Sequence, residues 1–102
     1  MFPIKNYKSD IEELCKKHKV KRLYVFGSAL TEKFNEKSDI DLIVDFDSID
    51  LHTYADNYFD LKFSLQSIFH RTIDLLEEQA IKNPYFKKVV TDQRQLVYGH
   101  LN

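Results

Sequence analysis

A chain of 102 residues, 43% hydrophobic and 30% charged, carries enough apolar material for one core and too little for two, so residues 1–102 read as a single domain. A formal net charge of -1 supplies no general basic field and argues against direct nucleic-acid binding, and a lone cysteine, Cys15, excludes an internal disulfide or a thiolate zinc cluster. No apolar run reaches the length of a signal peptide or a membrane span, so the expected setting is the reducing cytoplasm, away from membranes.

In chain order, Ser9-Asp10-Ile11-Glu12 has the capping-box form, serine followed three residues later by glutamate, and predicts a helix beginning there. Ile11, Leu14, Cys15 and His18 mark one face of it at helical spacing. His18 closes the helix, where a cationic ring suits the helix dipole. Lys16, Lys17, Lys19, Lys21 and Arg22 read as a solvated face. Residues 23–26 predict a first strand, Gly27-Ser28 a tight turn, and residues 29–34 a helix, a combination whose free backbone N–H groups suit phosphate. After the polar loop Asn35-Glu36-Lys37-Ser38, residues 40–46 form a second strand.

Asp39 and Asp41 lie two residues apart on that strand, so both carboxylates leave one face while Ile40, Leu42 and Val44 leave the other. Two hard oxygen ligands aimed at one spot suit a magnesium ion. Asp45 shares their face but lies about 13 Å along the strand from Asp41, too far to share an ion, and reads as surface. Farther on, Tyr54, Tyr58, Leu61 and Leu65 predict a helix over about residues 52–66 that covers the sheet, its tyrosines packing. Residues 69–77 predict a third strand containing Asp74. Asn83-Pro84 starts a last helix with Phe86, Val89, Val90, Gln93 and Val97 on one face, ended by Gly99. Phe2, Ile4, Leu96, Tyr98 and Leu101 either complete the packing or contribute to an interface, including one between copies of the chain.

Val25-Phe26-Gly27-Ser28, ten intervening residues, then Asp39-Ile40-Asp41-Leu42-Ile43-Val44 resembles the signature of the DNA polymerase β-like nucleotidyltransferases. The shortness of the chain resembles their minimal branch, and the resemblance runs over about residues 8–98. It implies an α/β (α+β) fold, a small mixed sheet of three to four strands flanked by helices. It also implies a third carboxylate on a later strand, and Asp74 in Thr72-Ile73-Asp74-Leu75-Leu76 fits that place. By the same resemblance Asp39, Asp41 and Asp74 are the catalytic residues and the ligands of two Mg2+ ions, and Gly27 and Ser28 bind the nucleoside triphosphate. The chain departs from the family after Ser28, where Ala29-Leu30-Thr31-Glu32-Lys33 stands in place of the usual arginine and glycine.

The chemistry so implied is transfer of AMP from ATP. An acceptor oxygen attacks the α-phosphorus as pyrophosphate leaves, and two divalent ions about 3.5–4 Å apart stabilise both oxygens. Minimal nucleotidyltransferases of this appearance often accompany a small helical HEPN toxin and silence it by placing AMP on a tyrosine, so the resemblance implies an antitoxin. Two alternatives stay open: a catalytically weak module that masks its partner, and AMP transfer to a small molecule.

Overall fold

The apolar alternation of the second strand explains most of the architecture. In the computed structural model, which describes residues 1–100, strands β1 (Val20–Phe26), β2 (Ile40–Phe46), β3 (Ile73–Glu77) and β4 (Gln95–Tyr98) form one sheet in the order β3-β2-β1-β4. β2 runs antiparallel to β1 and parallel to β3, and β4 is antiparallel to β1, so the sheet is mixed. Helices α1 (Lys8–Lys17) and α2 (Leu51–Phe69) belong to one layer, and α2 is the crossover that parallel β2 and β3 require. Helix α3 (Pro84–Gln93) links β3 to β4. Among the described residues no helix is long and apolar enough to cross a membrane.

Because strand side chains alternate, Leu23 and Val25, Ile40, Leu42 and Val44, and Ile73 and Leu75 all enter the main core. There they meet Ile11 and Cys15 of α1 and Leu61, Leu65 and Phe69 of α2. The other face is thinner. Tyr24 and Ile43 pack beneath Val90 of α3, flanked by Phe26, Leu76, Ile81 and Leu96.

Several predicted boundaries shift for local reasons. The capping box is not used: a 3-10 turn over Ile4–Tyr7 leads directly into α1, the N-cap is Tyr7, and Ser9 falls inside the first turn. β1 starts three residues before the predicted strand, at Val20, a buried residue paired with Phe46. The helix predicted after Gly27 is only a 3-10 turn, Gly27–Leu30. Thr31 Oγ1 donates to the Ser28 carbonyl at 3.0 Å, and the Phe2 N–H donates to the Ala29 carbonyl at 2.9 Å, so side chain and terminus take acceptors a longer helix would need.

α2 extends past its predicted end to Phe69, which is buried in the core, so the third strand begins only at Ile73. The last predicted helix face is cut in two. α3 ends at Gln93 because Arg94 leaves helical geometry, its guanidinium 3.9 Å from the Tyr24 ring centroid and 2.5 Å from Glu78 Oε1. The next four residues pair with β1, so Val97 is on a strand and Gly99, at φ +100°, follows that strand. Asn83 does cap α3, accepting from the Tyr85 and Phe86 N–H groups. Phe2 and Ile4 are buried, and Tyr98 and Leu96 pack against the cores. Leu101 lies outside the described residues.

His18 ends α1 as predicted, but buried. Nδ1 lies 2.7 Å from the Leu14 carbonyl and Nε2 2.5 Å from Asp60 Oδ2, so the ring ties α1 to α2. This hydrogen bond from His18 is the main reason the Asp60 carboxyl titrates below its ordinary value of 3.8. A depressed folded-state pKa contributes stability that is present above 3.8 and is lost as the pH falls through the folded value. Asp60→Asn is therefore expected to lower the denaturant midpoint in mildly acidic buffer, with the gap to wild type closing as the pH drops below the carboxylate range; chemical denaturation at stepped pH measures it.

Candidate active site

The register of the sheet assembles the site. Phe26 is the cross-strand partner of Asp41, and Asp41 is the in-register partner of Asp74 on β3. Directly opposed residues share a face, so Phe26, Asp41 and Asp74 lie together, and Asp39, two residues before Asp41, falls on the same side. That face is the one α3 partly covers, since it also carries Ile43 and Leu76. The three acids therefore gather where β1 ends and β2 and β3 begin, with Gly27 and Ser28 immediately after Phe26.

The turn comes very close to the acids. Gly27 adopts φ +74°, and a Cβ placed on it would lie 2.7 Å from Asp41 Oδ2. Only a glycine allows both the left-handed backbone and this approach. Ser28 is half-buried, and among the described residues its hydroxyl has no partner.

Asp39 and Asp74 are exposed and Asp41 half-buried. The Asp41 carboxyl is raised above its ordinary value, first by its partial burial and then by the negative charges of Asp74 and Asp39. Among the described residues none pairs with, or donates a hydrogen bond to, any of the three. Asp45 shows the contrast. It is not a free surface acid as the sequence suggested, because the Arg22 guanidinium, itself withdrawn from the solvated lysine run, lies 3.1 Å from its carboxylate. Among the described residues no three acidic, imidazole or thiol groups form a ready-made ligand cage. The donors themselves fit magnesium: they are hard, anionic oxygens, mutually repelling and, among the described residues, without a cation to balance them.

Two tyrosines position β3. The Tyr58 hydroxyl donates to the Leu75 carbonyl and the Tyr54 hydroxyl to the Glu77 carboxylate, so α2 holds the strand bearing Asp74 by hydrogen bonds as well as by packing. Periodicity identified these tyrosines as packing residues, and nothing local in the sequence marks the hydroxyl contacts. It also placed Phe86 on one helix face with Val90; Val90 is buried, whereas Phe86 is 42% exposed beside Phe26. An open groove of about 790 Å³ lies elsewhere, lined by Lys8, Ile11, Val20 and Tyr98 at the far end of β1.

Comparison with known proteins identifies the family and the fold. The family model described as polymerase beta, nucleotidyltransferase matches residues 9–100. A Methanocaldococcus jannaschii protein provisionally named a protein adenylyltransferase is 34% identical over 98 residues, a match covering 88% of this chain and 95% of the relative. Two solved structures share the fold. One is a toxin–antitoxin crystal structure with AMP-PNP, at TM-score 0.69 and 23% identity, covering 91% of this chain and 73% of that one. The other is a tri-AMPylated Shewanella oneidensis HEPN toxin in complex with an MNT antitoxin, at TM-score 0.61 and 23% identity, covering 94% and 72%.

Two stability outcomes follow from the crowding of charge and backbone. Gly27→Ala is expected to cost at least about 1–2 kcal/mol for the left-handed backbone, and more because Asp41 must move; a denaturant melt measures it. For Asp41 a raised folded-state pKa means that ionisation costs stability, a cost absent below 3.8 and complete above the folded value. Asp41→Asn is therefore expected to melt at a higher temperature than wild type in metal-free neutral buffer, with the gain vanishing in strong acid and shrinking when magnesium is added.

Proposed function

The chain belongs to the polymerase beta nucleotidyltransferase family, and from that premise we propose that it transfers AMP from ATP to a tyrosine hydroxyl of a HEPN-type toxin, acting as the antitoxin of the pair. The observation that carries the reading is the trio Asp39, Asp41 and Asp74, uncompensated by any described cation and set against the Gly27–Ser28 turn. The relatives support the reaction class and the fold neighbours the kind of partner and donor, because those proteins are named for protein adenylylation, an AMPylated HEPN toxin and bound AMP-PNP.

In this reading Asp39, Asp41 and Asp74 would hold two magnesium ions, whose chemistry is to stabilise charge on the attacking and departing oxygens. Gly27 lets the backbone reach the β- and γ-phosphates, and the Ser28 hydroxyl donates a hydrogen bond to a phosphate oxygen. The tyrosine oxygen forms a new bond to the α-phosphorus, the bond to the β-phosphate oxygen breaks, and pyrophosphate leaves with the electron pair. Asp74, exposed at the sheet edge, takes the phenolic proton. The edge position also gives a bulky protein acceptor access that an enclosed cleft would deny.

The test is transfer of α-labelled AMP to a purified HEPN toxin in the presence of magnesium. Asp39→Asn, Asp41→Asn and Asp74→Asn are each expected to lower the rate more than about a hundredfold, beyond what loss of a supporting residue outside the metal shell costs, while circular dichroism stays unchanged. Transfer at the wild-type rate by the Asp39→Asn, Asp41→Asn double variant would remove the assignment.

A further inference from the structure

We propose that Phe86, at the lip of α3, is the platform on which the nucleobase of the donor stacks; the inference rests on the nucleotidyltransferase reading and adds to it the residue that distinguishes a nucleotide from bare triphosphate. Three observations carry it. Phe86 is 42% exposed although its helix neighbour one turn on, Val90, is only 2% exposed, so the helix is seated on the sheet at Val90 and lifts an aromatic ring into the open at its start. The Phe86 ring lies 6.3 Å from that of Phe26, at 73° to it. Phe26 is in turn the cross-strand partner of Asp41 and directly precedes Gly27. With opposed side chains about 4.5–5.5 Å apart at Cβ, the free face of Phe86 comes within roughly 10 Å of the acids, on their side of the sheet.

A nucleotide whose phosphates sit at Gly27, Ser28 and the carboxylates has to direct its base along this face. On that face the two rings are edge to face, so one base cannot stack on both, and exposure selects Phe86. The other exposed aromatics do not compete: Phe59 and Phe63 are on α2, in the opposite layer, and Tyr85, 83% exposed, is turned about 100° around α3 from Phe86 and among the described residues has no ring contact with Phe26. The platform is also held in place. Asn83 Oδ1 accepts from the Phe86 N–H at 3.1 Å and from the Tyr85 N–H at 2.9 Å, so the cap fixes the backbone from which the ring projects. Stacking on an aromatic face tolerates any base and favours the larger purines.

The test uses the full chain and two magnesium-bound probes in separate titrations: α,β-methylene-ATP, which cannot transfer its AMP, and inorganic tripolyphosphate, which has no base. Phe86→Ala is expected to weaken α,β-methylene-ATP about tenfold, within the range for loss of one base stack, and to leave tripolyphosphate within about twofold. Phe86→Tyr, which keeps the ring, is expected to stay close to wild type for both. The inference is overturned if Phe86→Ala binds the nucleotide as wild type does, or if both probes weaken in parallel, which would mean a general distortion of the site. A wild-type chain that binds neither probe would overturn the nucleotidyltransferase reading itself, and this inference with it.

Discussion

The antiparallel register between β1 and β2 is the constraint from which the rest follows. By placing Phe26 opposite Asp41 it brings the Gly27 backbone against the Asp41 carboxylate, and by extension of the same ladder it sets Asp74 beside Asp41 on the far side of β2. A slip of one residue would turn every side chain of β2 over, sending Asp41 into the core and Leu42 into solvent. The apolar set Ile40, Leu42 and Val44, all fully buried, therefore guards the site by making that slip very costly. Packing on one face of the strand fixes chemistry on the other.

The two faces of the sheet carry different duties. The face under α1 and α2 contains most of the buried apolar residues, with the His18 bridge pinning the helices to each other. Among the described residues the α3 face buries only Tyr24, Ile43 and Val90. It leaves the end of the sheet near Gly27 open, where three like charges with no partner among the described residues can remain hydrated. Such a cluster would be untenable in the main core, since an unpaired buried carboxylate is strongly disfavoured. Stability is concentrated where the charges are not.

What could be read from the sequence was whatever the chain encodes locally. The bounds of β2 follow from its alternation of apolar residues with acids and the start of α3 from Asn83-Pro84, while the meeting of Gly27 with Asp41 is implied by the family resemblance. Errors arose where a tertiary contact overrode a local signal. Val97 fits a helical period, but pairing with β1 made its segment a strand; Phe69 fits a strand, but the main core drew it into α2. The pairing of His18 with Asp60, 42 residues apart, and of Arg22 with Asp45 has no periodic signature. Nor does the choice of face: alternation shows that Asp39 and Asp41 lie together, and only the position of α3 shows what lies beside them.

The departure from the family pattern after Ser28 has a physical meaning in this fold. Where residues 29–34 were expected to form a helix, Ala29 is instead buried and its carbonyl bound by the Phe2 N–H, and the Thr31 hydroxyl occupies the Ser28 carbonyl. The turn is thus fastened to the body of the protein from below and capped from within. The turn proposed to bind phosphate is made firm by anchoring its few residues separately, with no long helix behind it. The helix dipole that a full helix would aim at the phosphates is lost. In the proposed reaction, charge balance for a bound triphosphate would come mainly from the cations that the carboxylates are proposed to hold, in keeping with the lack of a countercharge for them among the described residues.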